Sequence, residues 1–249
     1  MLDKISRTTN LTFTEIRSDL RLPAHREDIV LKTADGLTLV GELATPIDGP
    51  ILATLVTFHP LPTHGGFMDS HIYRKAANRL PCLASVAVLR FNTRGTTSPR
   101  GTSEGTFGEG ITEKQDVDAA IEFAVARNLP NIWMVGWSFG TELVLKYGYN
   151  QPVQGGILLS PPLHRTSVEE LHRWNGSGKK LVALVPEFDD YLVPNMASVR
   201  FGSIEDIDVI GVDGAKHLWV GESATKRVLN EIVKVVNPNS YPLPESIKL

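Results

Sequence analysis

The chain has 249 residues, a net charge of −3, and 42% apolar against 21% charged residues. That length suits one large domain whose core buries roughly 70–75% of the unfolded surface. Charges of both signs are mixed along it, which argues against nucleic acid or an anionic membrane as partner. A single cysteine, Cys82, rules out an internal disulfide. It reads as a small buried hydrophobe at the end of a helix.

Residues 1–25 are polar and mixed, and read as an extension or a short surface helix. They hold no apolar stretch long enough for a signal peptide, and no window approaches 18 apolar residues. The expected location is therefore the cytoplasm. "EDIVLKT" (27–33) and "LTLVGELAT" (37–45) alternate around "ADG", the pattern of a hairpin. "ILATLVTF" (51–58), "LASVAVLRF" (83–91), "NIWMVGW" (131–137), "GGILLS" (155–160), "KLVALVP" (180–186) and "DIDVIGV" (206–212) are short apolar runs. Such runs suit strands buried on both faces of a parallel sheet. Between them, 70–80, 111–128, the segment after residue 138, and 223–236 carry helical spacing of apolar residues. An opening hairpin followed by strands alternating with helices predicts an α/β fold. The sheet would have eight mostly parallel strands with helices on both faces. No repeat or linker marks a second domain in 26–249. A long glycine-rich loop (92–110) and an insertion (161–179) stand out, the latter with room for only a small cap.

"GWSFG" places Ser138 directly after a predicted strand and before a helix. A G-x-S-x-G turn in that setting is a nucleophile elbow, with the glycines making room for an unusual backbone and close helix–strand packing. The helix N-terminus beneath the serine favours negative charge. A neutral serine needs a base. His217, in "AKHLW" after the last predicted strand, is the first choice, and His164 is held in reserve. His25, His71 and His172 read as surface residues. The base needs a carboxylate. "PEFDDYLVP" offers Glu187, Asp189 and Asp190 in the turn after a strand, with Pro194 opening the next helix. Asp190 is preferred, with Asp189 second. The chain order Ser138, Asp190, His217 is the one this architecture requires. An oxyanion needs aimed N–H donors. Phe139 supplies one. In "HPLPTHGG" (59–66), Pro60 and Pro62 have none, which leaves Leu61 as the second. His59 braces that loop. His64 and Trp219 are candidates for substrate contact.

With "HPLPTHGG", "LRFNTRG", "GWSFG", "DDYLVP" and "AKHLW" in place, the chain resembles the α/β-hydrolase superfamily from about residue 27 onward. It is most similar to small, cap-poor members near the dienelactone-hydrolase-like branch. The resemblance implies a Ser-His-Asp triad on Ser138, His217 and Asp190, and a structural, ion-paired Arg94. Dienelactone hydrolases proper use a cysteine nucleophile, and position 138 is serine, so their substrate class does not carry over. The expected activity is hydrolysis of a small carboxylic ester, thioester or lactone. No metal or cofactor is expected, because no His/Asp/Cys cluster has ligand spacing. A small acyl compound is the expected partner, and the oligomeric state stays open. Two alternatives remain: an aminopeptidase or amidase using Glu104, Glu109 or Glu169 to anchor an amine, and a catalytically silent binding protein on the same fold.

Overall fold

The computed structural model describes residues 13–248. Eight strands form the main sheet: β1 (His25–Lys32), β2 (Thr38–Thr45), β3 (Ala53–Phe58), β4 (Val86–Phe91), β5 (Ile132–Trp137), β6 (Gly155–Leu159), β7 (Lys180–Phe188) and β8 (Ile207–Lys216). Their order is β1-β2-β4-β3-β5-β6-β7-β8. Only the pairings β1–β2 and β2–β4 are antiparallel; every other pairing is parallel. This is the expected architecture. β3 and β4 are buried at all six positions each, because helices cover both faces.

The helices are α1 (His71–Ala84), α2 (Lys114–Ala126), α3 (Phe139–Tyr147), α4 (Val168–His172), α5 (Pro194–Phe201) and α6 (Glu222–Val236). α1 and α6 enclose one apolar core with Leu55, Val135 and Leu184. α2 and α3 enclose the other with Val56, Met134 and Ala183. α1 runs past the expected Leu80 in spite of Pro81 in its interior. Proline cannot donate to the carbonyl four residues back, and the Arg26 guanidinium takes over that role by donating to Ala77 O (3.0 Å). That extension carries Cys82 onto the outer face of α1. The cysteine is exposed, not buried as expected.

Of the N-terminal segment, residues 1–12 lie outside the described part. Phe13–Glu15 is a short strand pairing antiparallel with Ser246–Lys248 rather than helix. Residues 161–179 carry α4 and sink Leu163, Leu171 and Trp174 into the core beside α3. Arg94 is buried and ion-paired, as its resemblance implies. Its backbone and guanidinium donate to Asp116 (2.8–2.9 Å), and the outer edge reaches Asp35 (2.9 Å). This pins the 92–110 loop at the carboxyl ends of the strands.

Candidate active site

Ser138 stands between β5 and α3 with φ +52° and ψ −118°. A non-glycine residue in this region is strained and must be held by its surroundings. Its amide donates to Leu159 O (2.9 Å), and its carbonyl accepts from the Thr141 amide (2.9 Å) and hydroxyl (2.6 Å). The close approach of α3 to the strands depends on missing side chains. A Cβ on Gly140 would lie 1.9 Å from Phe58 O, and one on Gly136 would lie 2.4 Å from Gly140 O. The serine therefore projects its hydroxyl beyond the sheet over the first turn of α3.

His217 follows β8. Its Nε2 lies 2.9 Å from Ser138 Oγ, and its Nδ1 lies 2.9 Å from Asp189 Oδ2. Asp189 accepts, so Nδ1 carries the proton and Nε2 is free to accept from the serine hydroxyl. The His217 carbonyl accepts two further bonds, from Trp137 Nε1–H (3.1 Å) and the Ser160 hydroxyl (3.0 Å). The Tyr191 ring meets the imidazole edge to face, with centroids 4.7 Å apart. Ring orientation is thus fixed from three sides.

The carboxylate on His217 is Asp189, where Asp190 was expected. Strand register is the reason. β7 and β8 run parallel, and after a register shift Phe188 pairs with Lys216. The next residue on each strand, Asp189 and His217, therefore leaves the sheet side by side. Asp189 Oδ1 also accepts from the amides of Tyr191 (2.9 Å) and Leu192 (3.2 Å), which form the turn. Its side chain is 1% exposed, while Asp190 faces solvent. Burial alone would raise the Asp189 pKa. The bonds from His217 and the two amides outweigh it and hold the carboxyl below its usual range.

A cleft of about 280 Å³ opens over Ser138. Leu61, Phe139 and His64 line it, and Pro60, Pro162, His164, Arg165, Tyr191 and Leu218 complete the wall. At the first helical position, the Phe139 amide has no intrahelical acceptor. The Leu61 amide donates to no protein group among the described residues. Trp219 does not line the cleft. It is fully buried (0%) in the α1/α6 core, and Leu218 faces the cleft instead. The Trp219 carbonyl lies 3.1 Å from His71 Nε2, so His71 is half-buried and not a plain surface residue. His164 stacks edge-on against Tyr191 in the cleft wall, and the imidazole that meets the Ser138 hydroxyl is that of His217. Tyr191 and Arg165 line the cleft without forming a recognisable motif of their own. Tyr191 had one signal, its place directly after the acidic turn. Arg165 sits over the Phe139 ring (5.7 Å) and pairs with Glu109 (2.8 Å). Among the described residues, no three His, Cys, Asp or Glu side chains converge as metal ligands, and no helix is long and apolar enough to cross a membrane.

No protein-family model and no curated protein matches the chain. Solved structures do. A serine hydrolase without a lid from Xanthomonas campestris superposes with a TM-score of 0.68 at 23% identity, covering 88% of this chain and 94% of its own. An α/β serine hydrolase homologue from Coxiella burnetii gives 0.70 at 22%, covering 84% and 96%. An esterase from Pyrococcus furiosus gives 0.69 at 15%, covering 86% and 91%. The fold of this chain is that of the α/β hydrolases.

Proposed function

We propose that the protein is a serine hydrolase that cleaves a small carboxylic ester, thioester or lactone through an acyl-enzyme on Ser138. One observation carries this reading: the unbroken hydrogen-bonded chain Ser138–His217–Asp189, with 2.9 Å at each link. His217 Nε2 takes the hydroxyl proton as Ser138 Oγ attacks the acyl carbon. Asp189 steadies the imidazolium that results. The amides of Phe139 and Leu61 receive the oxyanion. His217 then gives the proton to the leaving group, and water repeats the sequence to release the acid. The similar folds named as serine hydrolases and an esterase support the same class. Glu104, Glu109 and Glu169, the candidates for anchoring a substrate amine, are absent from the cleft wall. Glu104 instead accepts from the Thr38 amide (2.6 Å), and Glu109 pairs with Arg165. This favours esters over peptides.

A fluorophosphonate probe and a panel of p-nitrophenyl esters graded by acyl length test the proposal, with amino-acid anilides alongside. Expected are a single adduct on Ser138, ester turnover, and little anilide cleavage. Folded protein left unlabelled and inert toward every ester would refute the reading and favour a silent binding protein. Anilide cleavage above ester cleavage would move it to an amidase.

A further inference from the structure

His59 stands at the end of β3, wholly buried, in a loop that touches substrate space only through its neighbours. Its Nε2 lies 3.0 Å from the Thr93 amide, which can only donate, and 3.1 Å from the Thr93 hydroxyl. Nε2 must therefore be bare, and the ring proton sits on Nδ1. Nδ1 lies 2.7 Å from Pro60 O, which can only accept. Every ring atom that can form a hydrogen bond is thus used, and the tautomer is set by its partners. Burial pushes the imidazole pKa down to about 4, which keeps it neutral.

The consequence lies on the other edge of the same peptide. The Pro60–Leu61 bond is trans, the one cis bond among the described residues being Tyr241–Pro242. In a planar trans peptide the C=O and the following N–H point in opposite directions. We propose that His59 is a positioning residue: by drawing the Pro60 carbonyl into the protein, it aims the Leu61 N–H at the oxyanion site over Ser138. The proposal rests on the hydrolase reading above. The rest of the loop acts to the same end. Pro60 and Pro62 offer no competing donor. Leu61 O accepts from the amides of His64 and Gly66 (3.0 Å each). Gly66 packs so tightly on the carbonyl His59 holds that a Cβ there would lie 2.1 Å from Pro60 O. A buried, neutral histidine with both nitrogens committed and no contact with the cleft is otherwise an expensive way to build a loop.

Two substitutions separate aiming from mere support. Asn Nδ2 occupies nearly the place of His Nδ1, so His59→Asn keeps the bond to Pro60 O and loses the one to Thr93. Gln Oε1 stands in for His Nε2, so His59→Gln does the reverse. With a p-nitrophenyl ester, His59→Gln should lower kcat roughly 10–100-fold at nearly constant KM, somewhat less than outright loss of an oxyanion donor. Its affinity for a trifluoromethyl ketone, whose adduct carries the oxyanion, should fall in parallel. His59→Asn should recover most of that loss, although both variants melt at similarly reduced temperatures. Equal losses in the two, or losses that follow melting temperature, would overturn the proposal. Should neither variant fold, ¹⁵N NMR of the unmutated protein decides. Protonated Nδ1, bare Nε2 and a Leu61 amide proton that moves downfield on ketone binding support the proposal, and the other tautomer or an unmoved amide overturns it. If the unmutated protein neither hydrolyses esters nor takes the fluorophosphonate, the hydrolase reading itself has failed; if it does both and His59→Gln stays fully active, only this proposal has.

Discussion

The turn after β5 and the turn after β7 each deliver one end of the same hydrogen-bonded chain, but they are built differently. The first is made by backbone crowding. Gly140 touches Phe58 O, Gly136 touches Gly140, and Ser138 is held at φ +52° between them. The second is made by a side chain. Asp189 forms its own turn by accepting two amides on one oxygen while the other oxygen holds His217. A turn that needs glycines at fixed positions leaves a mark in sequence. A turn that needs one of two adjacent carboxylates to face inward does not, because the choice belongs to strand register.

That contrast can be pressed from the largest effect downward. Ser138→Ala should lower kcat by roughly 10⁴–10⁶-fold while leaving the melting temperature close to that of the parent, since the turn depends on backbone and not on the hydroxyl. Gly140→Ala should cost about 2 kcal/mol or more in stability, because its Cβ would meet backbone rather than a side chain that can swing away. Urea unfolding checks this, and a neutral result would mean that the crowding at the elbow relaxes easily.

An effect of comparable size, read through pH, follows from the charge state of His59. His59 is held neutral, with a pKa depressed to about 4 from 6.5 by burial, and no charged side chain contributes. In the window between those values the unfolded chain binds a proton that the folded one refuses. Stability therefore rises with pH from 4 to 6.5, by at most about 3 kcal/mol from this residue. Asp189 acts in the same sense at lower pH: its depressed pKa contributes stability above the usual carboxylate range, lost as pH falls through its lower folded value. Urea midpoints measured from pH 7 to 4 should slope for the parent and flatten in His59→Asn.

Much of the fold was legible because the strands are buried on both faces and read as nearly unbroken apolar runs, from "LVTF" in β3 to "VALV" in β7. The turn at Ser138 and the loop between two prolines were legible because their backbone chemistry suits only certain residues, and the position of His217 beside Ser138 because it directly follows the last strand. What escaped depended on direction. Trp219 and Leu218 are neighbours, and a bulky aromatic beside a candidate base reads as a wall of the cleft. The chain turns at φ +51° there, so the indole enters the α1/α6 core while Leu218 faces the cleft. Cys82 failed for a similar reason: the helix continues through Pro81 because Arg26, distant in sequence, supplies the missing donor. Asp190 failed because the pairing of Phe188 with Lys216 is a tertiary fact.

The most direct measurement is a side-by-side determination of kcat for Asp189→Asn and Asp190→Asn on the best p-nitrophenyl ester. The amide at 189 can hold His217 only in the wrong tautomer, so a loss of about 10⁴-fold is predicted there, against less than three-fold at the solvated neighbour, as for most surface changes. Comparable losses at the two positions, or a larger one at 190, would contradict the assignment of Asp189 and with it the relay on which the proposed activity rests.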